Sequence, residues 1–231
     1  MTPEEQAQSH YARGEYQLAA DLFGQALQDS PNSAALLRDH GLALALAGRP
    51  EDALTSAGKA AQLQPANPDI RYAHGYVLAL AGRHAEAIEE LDRALILKTT
   101  HTAAREALLG ALTAQAHAVA DTDPGTAEAA LHRAMKLDSR NPKRAADYLE
   151  FLSRTNQKGK LQREAEQIDA SIQHLEPLKS TLEKLLGAHA VAPLSSSNRF
   201  VPTAQPGPTQ PAPPNPAPPN LAPPKPVRPK P

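Results

Sequence analysis

At 231 residues and a formal net charge of −1, with no cysteine, the chain has no disulfide framework, zinc knuckle or thiol nucleophile. Of its 23 prolines, 15 fall in the last 39 residues, which hold four basic side chains, no acidic ones and one aromatic, Phe200. Such a stretch cannot bury enough apolar surface to offset its ordering entropy, so folding is expected of residues 1–192 and disorder of 193–231. Residues 1–141 carry 12 basic and 18 acidic side chains, which disfavours a grip on nucleic acid. No run approaches the ~18 apolar residues of a spanning helix, and the Glu4-Glu5 opening resembles no leader, so a soluble, cytoplasmic protein without a membrane partner is expected.

In chain order, Thr2-Pro3-Glu4-Glu5 reads as a capping box with proline at the first helical position. A period then emerges. Gly14, Gly48 and Gly82 stand 34 residues apart, as do Ala19, Ala53 and Ala87, and Ala26, Ala60 and Ala94. Gly41 and Gly75, and Pro31 and Pro65, keep the same interval. Each unit reads as two helices. In the second, Leu36, Leu37, Leu44 and Leu46 recur at near-helical spacing, and Gly48 sits where a left-handed C-cap is wanted. Pro50 opens the next helix, which runs through Ala53, Leu54, Ala57 and Ala60 to Leu63 and ends at Pro65. Asn67-Pro68-Asp69 is an N-cap for the third unit, whose first helix stops at Gly82. A fourth unit, 102–141, keeps Ala127, Leu131, Ala134 and Leu137 but holds about six residues more, around Asp121–Gly125.

Another helix begins at Asn141-Pro142 with Ala145, Tyr148, Leu149 and Leu152 on one face, and Gly159 is expected at its end or in the following turn. Leu161, Ala165, Ile168, Ile172 and Leu175 then form a short heptad seam, continued after Pro177 by Leu178, Leu182 and Leu185 or Leu186. This segment reads as a cap over the apolar end of a repeat array, which such arrays require. The competing reading is a coiled-coil dimer, which Pro177 interrupts.

The columns Ala19/Phe23/Ala26/Pro31, Gly41/Ala53/Ala57/Ala60/Pro65 and Gly75/Ala87/Leu91/Ala94 resemble the tetratricopeptide repeat family. The sequence departs from the family pattern at Leu37 and Arg71, where an aromatic is usual, and at Thr99, where Pro65 would predict proline. The resemblance implies an all-α fold, a right-handed superhelical solenoid of stacked antiparallel helix pairs. Its units would be 1–33, 34–67, 68–101 and 102–141, with C-terminal helices 142–192 capping the solenoid and a proline-rich tail, 193–231.

Catalytic chemistry is not expected. His40 and His74 hold equivalent places one repeat apart, too distant to share a zinc ion, and read as histidines bonded within their helix pair. Glu4-Glu5, Glu51-Asp52 and Glu89-Glu90 suit helix starts or solvent faces. No phosphate-binding loop or nucleophile elbow is present, so neither enzyme activity nor a cofactor or metal is expected. The resemblance implies instead a concave peptide-binding groove. Its places fall on Tyr11, Arg38, Leu42, Leu46, Tyr72, Tyr76, Leu80 and Thr113, flanked by Glu4, Gln8, Ala45, Ala79, Glu106 and Gly110. The tyrosines are expected to be exposed there, and Tyr72 and Tyr76 to share a face. Leu42 stands where chaperone-binding members have asparagine, so a chaperone co-factor role is disfavoured. The tail reads as polyproline II, in which Pro223, Pro226 and Arg228 fit the pattern bound by SH3-type grooves. A spacer is the simpler reading. The function expected is a non-enzymatic interaction scaffold for an unidentified protein or peptide. The alternatives are a cytosolic secretion-type chaperone and a self-assembling structural protein.

Overall fold

The structure, a computed structural model, describes residues 1–171, and every regular element among them is an α-helix. In chain order these are α1 Pro3–Ala12, α2 Tyr16–Asp29, α3 Ala34–Leu46, α4 Pro50–Leu63 and α5 Pro68–Leu80. They continue as α6 His84–Leu97, α7 Thr102–Val119, α8 Pro124–Leu137, α9 Pro142–Arg154 and α10 Lys158–Ser171. The described residues fall into two compact units, 1–114 and 115–171, with the division inside α7. The helices α1 to α6 are stacked pairs, as the repeat requires. None of the described helices is long and apolar enough to cross a membrane. The tail motif Pro223, Pro226 and Arg228, and the seam from Ile172 onward, lie outside the described residues.

In the first unit each helix packs on the next, from α1 through α6, and α3 also touches α5. The turn within each pair repeats one device. Gly14, Gly48 and Gly82 have φ of 77°, 81° and 76°, the left-handed region that glycine enters without penalty. Beyond α3, Gly48 N donates to Ala45 O at 3.1 Å and Arg49 N to Leu44 O at 2.9 Å, the bond pair of a Schellman cap. The same two bonds recur at Gly14–Glu15 and at Gly82–Arg83. Gly48→Ala puts a Cβ into that conformation with nothing within 4 Å to obstruct it, so the cost is conformational alone. It is expected to be ~1–2 kcal/mol, read as a lowered denaturant midpoint at unchanged slope.

The N-termini of α1, α5 and α9 begin at the residues that the sequence marks, Thr2, Asn67 and Asn141. Glu5 N donates to Thr2 Oγ1 at 3.2 Å and Thr2 N to Glu5 Oε2 at 2.9 Å, closing the capping box. Ser33 caps α3, Asn67 caps α5, Asp123 caps α8 and Asn141 caps α9. Between pairs, Arg71 Nε donates to Pro65 O at 2.8 Å. One repeat on, Arg105 Nη2 donates to Thr99 O at 3.4 Å, so the link survives the loss of the proline.

Within a pair, the approach is set by one crossing. A Cβ on Gly41 would lie 3.1 Å from Ala57 Cβ, and one on Gly75 would lie 2.7 Å from Leu91 Cγ. Ala7, Gly41 and Gly75 form one column of small residues, and Phe23, Ala57 and Leu91 the column facing it. Ala19, Ala53 and Ala87, all fully buried, let the paired helices meet without spacing side chains.

In the second unit α9 packs on α8 and α10 on α9. Tyr148, Leu149, Leu152, Leu161 and Ala165 are buried in this unit. Leu161 and Ala165, the first two seam positions, are therefore covered within the chain. Tyr148 stacks at 5.2 Å on His132, and burial, with Glu164 and Glu128 nearby, pushes its hydroxyl up. Glu128 takes a 2.9 Å bond from Gln157 and an ion pair from Lys160. The expectation for Gly159 is corrected. It lies inside α10, and the turn after α9 is made by Asn156 at φ 57°. Asn156 takes the left-handed C-cap place because its short amide tolerates that conformation.

Candidate functional site

Of the residues expected to form a groove, Tyr11 stands on α1, Arg38, Leu42 and Leu46 on α3, Tyr72, Tyr76 and Leu80 on α5, and Thr113 on α7. Tyr72 and Tyr76, one turn apart on α5, have ring centroids 5.9 Å apart. Tyr11, at the end of α1, meets Tyr16 edge-on at 5.3 Å, the first residue of α2. The two ring pairs lie near each other: Tyr72, Asp39 and Tyr76 are all close enough to raise the Tyr11 hydroxyl further.

The expected exposure of these rings is not found. Tyr11, Tyr72 and Tyr76 are only 4%, 6% and 3% exposed, and Leu42 is buried with them. Large aromatic rings at helical spacing pack against one another before they meet water. Leu46, Leu80, Thr113 and Arg38 are half-buried, so the open part of the face is aliphatic and cationic. The Thr113 hydroxyl donates to Leu109 O at 2.9 Å, a bond within its own helix.

Burial raises the hydroxyls of Tyr11 and Tyr72 well above the ordinary phenol range and that of Tyr76 in the same direction, so all three are donors at any physiological pH. The Tyr11 hydroxyl is buried yet has no hydrogen-bond partner among the described residues. An unsatisfied buried donor of this kind costs ~1–3 kcal/mol.

Sequence reasoning missed the polar frame around the rings. Arg38 Nε donates to Asp39 Oδ1 at 2.6 Å, and Asp39 is 5% exposed. Burial lifts the Asp39 carboxyl above its usual range although the guanidinium opposes it. Neighbours on a helix do not ordinarily face each other, so spacing gave no sign of this pair. His101 is buried at the start of α7, its ring 5.0 Å from Tyr72. Its Nδ1 accepts from Ala104 N at 3.2 Å, which assigns the ring proton to Nε2, 3.1 Å from Asp69 Oδ1. Asp69 and Glu106 stay exposed beside the cluster.

Away from this face, His40 Nδ1 lies 2.9 Å from Ser56 Oγ, and the equivalent His74 Nδ1 lies 3.6 Å from Glu90 Oε2. Both rings sit above a glycine of the preceding repeat, Gly24 and Gly58, another column 34 residues apart. An open hollow of about 500 Å³ beside His40, Ser56, Asp21 and Arg49 belongs to this side and not to the tyrosines. No group of three or more metal-ligating side chains occurs among the described residues.

Glu90 is the strongest electrostatic site. It is 6% exposed, accepts from Arg71 Nη1 at 2.8 Å and pairs with Arg93. Burial alone would raise its carboxyl, but His74 and Arg71 outweigh that and lower it from 4.5 to about 2. A depressed carboxylate adds stability that is full above the unfolded value and is lost as pH falls toward the folded one. The loss should run from pH 4.5 down to about 2. It amounts to on the order of 3 kcal/mol. In acid denaturation series Glu90→Gln should flatten that part of the profile; parallel wild-type and variant profiles would remove Glu90 from it.

The family model described as "Tetratricopeptide repeat" matches residues 4–69 and 39–101. No curated protein matches the chain significantly in sequence. Among solved structures, MamA residues 41–end from Desulfovibrio magneticus RS-1 are 19% identical, with a TM-score of 0.54 over 74% of this chain and 94% of that one. A crystal structure of MamA gives 18% identity and 0.53 over 80% and 94%. The second TPR domain of human RPAP3, solved with an HSP70 peptide, gives 16% and 0.44 over 48% and 92%. At these identities the MamA likeness is one of fold. With the helices of the first unit in stacked pairs, the 34-residue columns and the family match over 4–101, that part of the chain is an array of the tetratricopeptide repeat family.

Proposed function

We propose that the first unit is a peptide receptor: a non-enzymatic interaction module that holds a short segment of a partner protein across Tyr11, Arg38, Leu46, Tyr72, Tyr76 and Leu80. The observation that carries this reading is the Tyr11 hydroxyl, a buried donor without an acceptor among the described residues, on a ring that packs edge-on against Tyr16. A fold that keeps a buried donor unsatisfied bears a cost, and a ligand carbonyl brought to that atom relieves it. Half-buried Leu46 and Leu80 offer the bound segment an apolar contact, and Arg38 offers a polar one.

The residues that would do this work are scaffold-held. Tyr72 and Tyr76 stand on α5, whose start is fixed by Asn67 and whose end is fixed by the Gly82 cap. Arg38 is aimed by its bond to Asp39. Such pre-positioning lowers the entropy lost on binding.

The test is selection of peptides from a random display library on the full chain, followed by titration of the selected peptides. Tyr72→Ala should weaken them while a peptide-blind change on the far side, Asp21→Asn, leaves them unchanged. Equal affinities for both variants would place binding elsewhere. Residues 142–192 as a solenoid cap, and the four-unit boundaries, belong to the same proposal.

A further inference from the structure

We propose that the hollow between α2 and α4 binds an alkylguanidinium group, the side chain of an arginine; this site is separate from the tyrosine face and goes beyond the reading of that face. The hollow is open and holds about 500 Å³, within the size range of small-ligand sites. Ala20 and Gly24 of α2 and Leu44 of α3 give it an apolar lining, and Asp21, His40 and Ser56 bring polar atoms to it. Ser56 is 9% exposed, and its Oγ lies 2.9 Å from His40 Nδ1. In the tautomer that gives the Nδ1 proton to Ser56, Nε2 is an acceptor. His40 makes no other hydrogen bond among the described residues. Its Nε2 sits over Gly24, where an added Cβ would lie 3.6 Å away. Asp21 stands one turn before Gly24, on the same side of α2. Its carboxylate accepts from Gln17 Nε2 at 3.0 Å and is paired with no cation among the described residues.

Charge selects the ligand. Burial, and the Arg49 charge after it, push the His40 ring below the usual imidazole range, so at neutral pH it does not repel a cation. Arg49 lines the hollow too, but Asp52 takes both its Nε, at 2.8 Å, and its Nη2, at 2.7 Å. With Arg49 and Asp52 cancelling, the unbalanced charge of the lining is that of Asp21. A guanidinium is planar and carries several N–H donors, so one group can reach a carboxylate and an imidazole nitrogen together. An ammonium is a compact point charge and cannot span the two in the same way. The alkyl stem of arginine suits the apolar surface of Ala20 and Leu44.

The next repeat holds the same chemistry within the chain. There Arg71 Nη1 donates to Glu90 Oε2 at 2.8 Å, and His74 Nδ1 lies 3.6 Å from the same oxygen. His74 and Glu90 are the counterparts, 34 residues on, of His40 and Ser56, and Arg71 is the counterpart of Leu37. The interval between α2 and α4 thus keeps the histidine and takes its carboxylate from Asp21, but has leucine in place of the arginine. Ala20 leaves room there, where the counterpart in the next repeat is Leu54.

The test is titration of the full-length protein with N-acetyl-arginine methylamide, followed through the ring nitrogen signals of His40. His40→Gln identifies those signals among the nine histidines. The expected result is a saturable shift at millimolar ligand, absent with the citrulline analogue, which keeps the shape without the charge, and weaker with the lysine analogue. Asp21→Asn, a change at an exposed residue, is expected to weaken binding about 5- to 20-fold. Free arginine, titrated in parallel, separates two sources of the same group. Binding of the blocked residue assigns the site to a side chain of a partner segment, and binding of free arginine alone assigns it to the amino acid. No His40 shift with either, equal binding of the citrulline or lysine analogue, or full-strength binding by Asp21→Asn would overturn the proposal. The receptor reading fails separately, since its peptides are lost with Tyr72→Ala and kept with Asp21→Asn.

Discussion

Tyr72→Ala is expected to weaken binding of a selected peptide by ~1–3 kcal/mol, about 5- to 150-fold, the range of a central aromatic anchor. The ring is also part of the core, 6% exposed and in contact with Tyr76 and His101. Its removal is therefore expected to lower stability by on the order of 3 kcal/mol as well. Tyr72→Phe separates the two effects. It keeps the ring and its stacking, so it should hold stability and most of the affinity. Affinity is to be measured by titration at a temperature where both variants are folded by circular dichroism. A Tyr72→Ala protein that is folded and binds at full strength would remove Tyr72 from the receptor face.

Phe23→Ala carries the largest expected loss of stability. Phe23 is fully buried on α2, where the other buried side chains are Ala19, Ala20 and Ala26. It holds the place that Ala57 and Leu91 take in the following pairs, facing the column of Ala7, Gly41 and Gly75. The three pairs solve one volume problem differently: phenylalanine, alanine and leucine on the second helix stand opposite alanine, glycine and glycine on the first. Alanine at 23 leaves the first crossing with two small residues and a cavity between them. The expected cost is ~3–5 kcal/mol, read from the denaturant midpoint. A Cβ added at Gly41 would lie only 3.1 Å from Ala57 Cβ, so the second pair is already closed up, whereas the first holds a phenyl ring at the equivalent place. A loss below about 1 kcal/mol would mean that α1 and α2 collapse onto the gap.

The repeat, its turns and its caps were legible because each rests on a residue with one strong physical preference. Gly14, Gly48 and Gly82 announce left-handed turns, Asn67-Pro68 and Asn141-Pro142 announce helix starts, and Ala53 and Ala87 announce close crossings. The turn after α9 was misplaced onto Gly159 because asparagine serves the same conformation less conspicuously, at Asn156. At the candidate site the residues were legible but their environment was not. Helical spacing put Tyr72 and Tyr76 on one face, yet whether those rings meet water depends on side chains such as His101 that arrive from another repeat. The Arg38–Asp39 bond joins neighbours in sequence, and His101 reaches Tyr72 from the next repeat. No periodicity encodes such contacts. The Gly24 and Gly58 column, which seats His40 and His74, was present at the same interval of 34 and could have been found by extending the alignment.

The receptor reading turns on one oxygen atom, and Tyr11→Phe removes only that atom. With no partner among the described residues, the hydroxyl lowers the stability of the free protein, so its removal should leave stability unchanged or raise it by ~1 kcal/mol. In the complex the same hydroxyl donates to the peptide, so its removal should weaken binding by ~0.5–1.5 kcal/mol, about 2- to 12-fold. Denaturation and peptide titration on one preparation of full-length Tyr11→Phe thus should move in opposite directions. Lower stability with unchanged affinity would contradict the account, because it would give the Tyr11 hydroxyl a partner in the fold and none in the ligand.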